Sequence, residues 1–305
     1  MVPAALRERL INVHTYAVTP FVAGDVLTID HGAFERNLEF LAERGVKVVA
    51  VAGGTGEFEA LTLGEMEALT RTALRTLGDR VLVIATLPGN LRAAADLAPR
   101  YASMGVQVML AMPPLVRGQV PRDLEGTFDY YRILSRVTDV PLMPYNTQGW
   151  PAEFYVRLAD VDRIIGVKDP CHDPHTMFRA IQRLGDRFIW IGNKRHDPGV
   201  VHLRYQMGMQ AFTSGQSNFW PEPELEMHAA AQRRDWPRVI ELQRQCAGLE
   251  RLRMESDDAA MVKGAMDLLG LYGGPVRPPR RDLSTAAREA LGGVIHALGA
   301  RGASA

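Results

Sequence analysis

The stretch VKVVAVAGGTGEFEALTLGEMEALTRTALRTLGDRVLVIAT (46–86) decides the fold, because it holds one full strand–helix–strand unit. It starts and ends in runs of Val, Ile, Leu and Ala without strict alternation, VKVVAVA (46–52) and VLVIAT (81–86). Such runs suit parallel strands buried on both faces. Between them, residues 63–78 place Leu63, Met66, Leu69, Leu74 and Leu77 broadly on one face of a helix. Thr62 stands as its cap, Glu65 completes a capping box, and Gly78 falls where the helix should stop.

The same alternation recurs on both sides. NVHTYAVT (12–19), VQVMLAM (106–112), VPLMPYN (140–146), IIGVK (164–168), RFIWIG (187–192) and MQAFTSG (209–215) read as further strands. HGAFERNLEFLAERG (31–45) reads as another helix, and Gly45, Gly105 and Gly185 mark further helix ends. Eight such units without a long linker predict an α/β fold, a (β/α)8 TIM barrel over residues 1–217. A doubly wound open sheet is the competing architecture. The even spacing, and the lack of a Gly-rich dinucleotide turn after the first strand, count against it. From 218 to 305 the chain reads as the last barrel helix followed by a helical appendage. DWPRVIELQRQCAGLERLR and SDDAAMVKGAMDLLGLYG are amphipathic, and a final helix is expected near 284–299.

Composition narrows the function classes. The chain has 305 residues, 47% of them hydrophobic, with 35 basic and 35 acidic side chains, so no net charge points to nucleic acid or a membrane surface. The short basic run Arg277, Arg280 and Arg281 reads as a solvated C-terminal face. Cys171 and Cys246 are the two cysteines and form no CxxC pair, so neither a disulfide framework nor a zinc site is expected. Free thiols fit a reducing cytoplasm. MVPAALRERLINVHTY lacks the apolar centre of a signal peptide, and no run approaches the length of a membrane span.

In a barrel of this kind, chemistry gathers where the strands end. The polar strand ends are GGTGE (53–57), YN (145–146), Lys168 and GNKRHD (192–197). Lys168 taken alone could be a solvated rim lysine. In the barrel mouth it would be partly desolvated, which lowers its pKa and leaves a neutral amine able to attack a carbonyl. The resulting iminium is an electron sink, so a bond beside the former carbonyl can form or break. Tyr145, on a neighbouring strand end, is placed to move the protons. Gly54, Thr55 and Gly56 would turn backbone N–H groups, a hydroxyl and a helix N-terminus toward a carboxylate. Amine and carboxylate site together point to a 2-oxo acid, with no cofactor required. His172, His175 and His196 beside Asp173 and Asp197 lie in two different loops. Both HDP triplets read as helix starts rather than as a metal site. Cys171 lacks an evident base and reads as a bystander.

These motifs resemble the dihydrodipicolinate synthase / N-acetylneuraminate lyase family over nearly the whole chain. The resemblance rests on AVTPF (17–21), GGTGEFEALTLGE (53–65), PYN (144–146), GVKD (166–169), SGQSNFWPE (214–222) and KGAMDLLGLYGGPVRPP (263–279), in matching order and spacing. It implies Schiff-base chemistry on pyruvate-like acids in a barrel, usually in a homotetramer built as a dimer of dimers. Position by position, it implies that Lys168 forms the imine and Tyr145 shuttles protons. The same resemblance implies that Thr55 binds the carboxylate and that the backbone of Thr213 lines the site.

Departures bear on which branch this is. The lysine-biosynthetic synthase has GTTGE, whose first Thr relays protons; here the position is Gly54. The relay's tyrosine, lent by a neighbouring subunit, is replaced by Leu115, and the arginine that binds the second substrate is replaced by Trp150. Dihydrodipicolinate synthesis is therefore the alternative and not the main reading. GGTGEF is similar to the turn of 5-dehydro-4-deoxyglucarate dehydratases, although the stretch after PYN does not resemble theirs. Where the sialic-acid lyase branch has acidic residues, this chain has Lys194 and Arg195. One of them is expected to bind a distal carboxylate, and Lys194 to depress the pKa of Lys168 by like-charge repulsion. The reading from another class is a family member that binds a 2-oxo acid without turning it over.

Overall fold

In the computed structural model, which describes residues 3–299 apart from 122, 171 and 195–197, eight short parallel strands form the centre. They are β1 (Val13–Tyr16), β2 (Val48–Val51), β3 (Leu82–Leu87), β4 (Val108–Ala111), β5 (Leu142–Pro144), β6 (Gly166–Lys168), β7 (Ile189–Asn193) and β8 (Ala211–Ser214). Pairing runs β5-β4-β3-β2-β1-β8-β7-β6. The ring closes between β5 and β6 through two bridges, Leu142 to Ile164 and Tyr145 to Lys168. The barrel expected from the sequence is therefore present, and the two residues singled out for chemistry sit side by side on its closing seam.

Why the strands read as unbroken apolar runs is visible in the packing. Val48, Ala50, Leu82, Ile84, Val108, Leu110, Met143, Ile189 and Ile191 fill the barrel interior. Alternate residues such as Val49, Val51, Val83, Ala85 and Met109 pack under the surrounding helices. With a side-chain period of two and both faces covered, most strand positions are apolar, and polar residues within the strands, such as His14 and Thr86, bond to the carbonyls of Leu10 and Val51. The helix of the opening repeat spans Leu63–Leu77; Thr62 accepts from the Glu65 backbone and the Glu65 side chain returns to Thr62, completing the capping box. Gly78 ends it at φ +53, a conformation that disfavours any side chain. Asp173 likewise caps Pro174–Leu184, as its Asp-Pro signal predicts. The second triplet differs: Asp197 lies outside the described residues, and the helix that follows begins only at Val201.

One element was not anticipated. Phe21–Val22 and Asp25–Ile29 form a small antiparallel hairpin over the first turn. Its second strand, DVLTI, is short and mostly exposed, so it lacks the long buried run that marks the barrel strands.

After β8, Glu222–Gln232 completes the barrel ring, and Trp236–Glu255, Asp258–Leu268 and Thr285–Leu298 follow. These helices share one core with the barrel: Val239, Leu242, Leu249, Met261 and Val262 pack with Val13, Val18 and Phe212. They also clasp the GGTGE turn. Lys263 reaches Glu57 at 2.5 Å, with both side chains fully buried. The Arg277 backbone donates to Glu57, and its guanidinium to the carbonyls of Val26, Leu27 and Ala60 and to Glu65. This corrects the reading of the basic run as solvated. Arg277 is buried and Arg280 bridges Glu59 and Asp257, because the facing carboxylates come from other parts of the chain; Arg281 alone is exposed. Among the described residues no helix is long and apolar enough to cross a membrane.

Candidate active site

A cavity of about 100 Å³ opens at the C-terminal ends of the strands, lined by Tyr16, Gly54, Thr55, Tyr145, Lys168, Asn193, Thr213, Ser214, Gly215, Arg253 and Asp258. Lys168 is the last residue of β6, and Tyr145 follows β5 directly. A hydrogen-bonded knot fixes both strand ends. The Asn146 backbone donates to the Lys168 carbonyl at 2.9 Å. Its side-chain amide donates to Asp169 at 2.6 Å, and the Tyr155 hydroxyl donates to the same carboxylate oxygen at 2.5 Å. The Asn of PYN and the Asp of GVKD thus hold the seam on which the lysine and tyrosine stand.

The Lys168 ammonium nitrogen lies 3.9 Å from the centre of the Tyr16 ring and 4.0 Å from that of Tyr145. Burial pushes its pKa down from the ordinary 10.5 to about 7; Asp258 opposes the shift and Arg253 adds to it. The two ring faces give the cation weak compensation, so both charge states are within reach near neutral pH.

Gly54, Thr55 and Thr213 come together at this cavity as expected, but Gly56 does not. It packs the turn onto the first strand. A Cβ there would meet the Ala17 carbonyl oxygen at 2.9 Å, and its own carbonyl accepts from Thr19 at 2.7 Å. The helix N-terminus expected to face the carboxylate stands several residues beyond the turn. Phe58–Ala60 forms a short 3-10 turn, and the α-helix begins at Leu63.

Lys194 requires a larger correction. It is 3% exposed, with its nitrogen 2.5 Å from Glu224 and 2.8 Å from Glu250, and it donates to Gln216 at 2.9 Å. Burial opposes its charge, but Cys246, Glu224 and Glu250 more than offset this, so its pKa is raised. Two carboxylates already hold this cation, and it does not line the cavity, so it is not placed to take a substrate carboxylate. Nor does it depress Lys168; the cation that does is Arg253. Arg195, Cys171, His196 and Asp197 lie outside the described residues. Among the described residues no group of three or more His, Cys, Asp or Glu could hold a metal ion.

Sequence reasoning missed Tyr16, Asn193, Ser214, Gly215, Arg253 and Asp258. Tyr16 was within reach of the strand-end argument, since it closes β1. Arg253 and Asp258 carried no such signal, because they sit on helices after the barrel. Arg253 is 2.5 Å from Asp258, and a Cβ on Gly215 would come within 3.0 Å of its guanidinium. The replaced positions are explained as well. Trp150 is packed among Tyr131, Phe154 and Tyr155, donates to Gln148, and stays out of the cavity. Leu115 is 51% exposed on its loop.

Comparison with known proteins places this geometry. Residues 9–298 match the sequence model of the Dihydrodipicolinate synthetase family. A Saccharopolyspora erythraea protein named "probable 5-dehydro-4-deoxyglucarate dehydratase" is 28% identical over 98% of this chain and 98% of its own. A 4-hydroxy-tetrahydrodipicolinate synthase of Desulfotalea psychrophila is 26% identical, covering 87% of this chain and 88% of that one. The crystal structure of dihydrodipicolinate synthase from Oceanobacillus iheyensis superposes with a TM-score of 0.89 over 97% of this chain and 98% of that one; at 22% identity this is a likeness of fold. With barrel and motif order in agreement along almost its full length, the chain belongs to the dihydrodipicolinate synthetase family and is one of its lyases.

Proposed function

We propose that this lyase works through an imine on Lys168 and acts on a 2-oxo acid, as a dehydratase or aldolase of the 5-dehydro-4-deoxyglucarate dehydratase kind. The observation that carries the reading is the Lys168 amine, buried between two phenol rings with its pKa lowered to about 7. At neutral pH a large share of it is the free amine, the form that adds to a carbonyl carbon. Gly54, Thr55 and the Thr213 backbone hold the carboxylate beside that carbonyl, and Tyr145 shuttles protons in the cycle. The iminium then draws electrons from the neighbouring carbon, so a hydroxyl one carbon further on can leave as water.

Arg253, which lines the mouth and is paired with Asp258, is the group proposed to meet the distal carboxylate of a sugar diacid, in the role first expected of Lys194 or Arg195. Similarity to a protein named as a 5-dehydro-4-deoxyglucarate dehydratase supports that substrate class. Condensation of the dihydrodipicolinate kind is disfavoured because Gly54 and Leu115 offer no hydroxyl and Trp150 is held in an aromatic cluster. Those same missing hydroxyls favour the second reading, a family member that binds without turnover. The family resemblance and the absence of a disulfide pattern support a cytoplasmic homotetramer, which light scattering tests. For the chemistry, the protein is incubated with pyruvate and borohydride and digested for mass spectrometry. A reduced adduct on the Lys168 peptide is expected; its absence, or an adduct confined to other lysines, contradicts the reading. Turnover of a sugar diacid then separates enzyme from silent binder.

A further inference from the structure

Tyr16 has no role in the account so far, yet its ring is the face closest to the Lys168 nitrogen, at 3.9 Å. It stands at the end of β1 and lines the same cavity as Tyr145 and Lys168. Its side chain is almost fully buried, and its hydroxyl is one of the buried polar atoms with no hydrogen-bond partner among the described residues. Leaving a buried hydroxyl unpaired is costly, so such a group calls for a reason. Among the described residues Tyr131 also carries an unpartnered buried hydroxyl, but it belongs to the packed core and does not line the cavity. Tyr16 differs in facing the reactive amine.

The surroundings make room for this ring. A Cβ on Gly53 would lie 2.6 Å from a Tyr16 ring carbon, so the first glycine of GGTGE is the residue that admits the tyrosine. The second is Gly54, where a hydroxyl of the synthase relay is missing. A turn that lacks one proton-carrying side chain therefore clears space for another.

We infer that Tyr16 is a second catalytic phenol, which donates the proton that carries off water when the Lys168 imine forms. The inference rests on the Schiff-base reading above. After the amine has added, the carbinolamine carries a hydroxyl on the former carbonyl carbon. The Tyr16 O–H passes its proton to that hydroxyl, and the C–O bond breaks with its electron pair on oxygen. Water departs, and the nitrogen lone pair forms C=N. An iminium cation and a Tyr16 phenolate remain as a neutral pair. The phenolate then takes a proton from the adjacent carbon. The C–H electrons form the enamine double bond, the C=N pair returns to nitrogen, and the phenol is restored with no outside reactant. Burial, and then Tyr145, hold the Tyr16 pKa well above that of an ordinary tyrosine, so the phenol enters the cycle protonated.

Tyr16→Phe keeps the ring and removes only the unpartnered hydroxyl, so the variant is expected to melt no lower than the parent. The assay follows exchange of the pyruvate methyl protons in D2O by proton NMR, with borohydride trapping in parallel, for the parent and for Y16F. The parent should exchange and trap. Y16F should exchange at least about 100-fold more slowly across the pH range, the usual size of a general acid–base contribution. Its acid limb near pH 7 should stay in place, because the lysine keeps both ring faces. Exchange by Y16F within twofold of the parent overturns the inference and leaves the Schiff-base reading standing. A parent that neither traps nor exchanges overturns both.

Discussion

The neighbours that surround Lys168 come from distant parts of the chain. Tyr16 and Tyr145 enclose the amine, Asp258 pulls its pKa up and Arg253 pulls it down, within a net fall caused mainly by burial. The sign of each charge can be tested separately. Asp258→Asn removes the group that favours the ammonium and leaves Arg253 less compensated, so both effects lower the lysine pKa. The acid limb of imine formation should move below pH 7, read from trapping rates across a pH series. A limb that stays in place or moves to higher pH would show that Asp258 does not act on Lys168. The same scale explains why Lys194 misled the sequence reading. Asn193 lines the cavity, and with a period of two along an extended chain the next residue faces the other way. Lys194 is therefore directed to Glu224 and Glu250 in the layer behind the mouth.

At the scale of single elements, the sequence was legible wherever a local rule was enough. The capping box at Thr62, the Asp173–Pro174 start and the glycine stops follow from backbone chemistry within one turn, and the structure keeps them. The hairpin of Phe21–Val22 and Asp25–Ile29 was not legible, because an exposed two-stranded piece needs no apolar pattern. The helix starts where its Thr62 cap puts it, at Leu63, but the residues between it and GGTGE had no assignment, because there the turn closes on itself. The Glu57 backbone donates to Gly54, that of Phe58 to Gly53, and the 3-10 turn intervenes. Thr62→Ala should cost about 1 kcal/mol of stability by loss of the cap. Chemical denaturation should show this as a lower midpoint with an unchanged slope. A neutral result would mean that Glu65 is held well enough by Arg277 to make the cap redundant.

Across the whole molecule, the C-terminal helices serve the site and do more than extend the barrel. They bring Arg253 and Asp258 to the mouth, and through Lys263 and Arg277 they grip Glu57, the last residue of the GGTGE turn. Two motifs that lie far apart in sequence thus meet as one buried ion pair. Strand–helix periodicity revealed the barrel and, through strand ends, Lys168, Tyr145 and Thr55. It could not reveal Arg253 or Asp258, whose place over the mouth depends on how whole helices pack. Lys263→Met should leave Glu57 buried without its partner and destabilise the protein by about 3–5 kcal/mol. The double variant Glu57→Gln with Lys263→Met should recover part of that loss. Equal melting temperatures for the single and double variants would contradict the coupling.

The central claim is that Lys168 is an imine-forming amine whose pKa has been brought near neutrality by its enclosure. The most direct test is the rate of borohydride-trapped pyruvate adduct on the Lys168 peptide, measured from pH 5 to pH 10. The account predicts a rate that rises to half its maximum at about pH 7 and then levels off. A rise centred near 10, the range of an ordinary lysine, or no adduct at any pH, would contradict it.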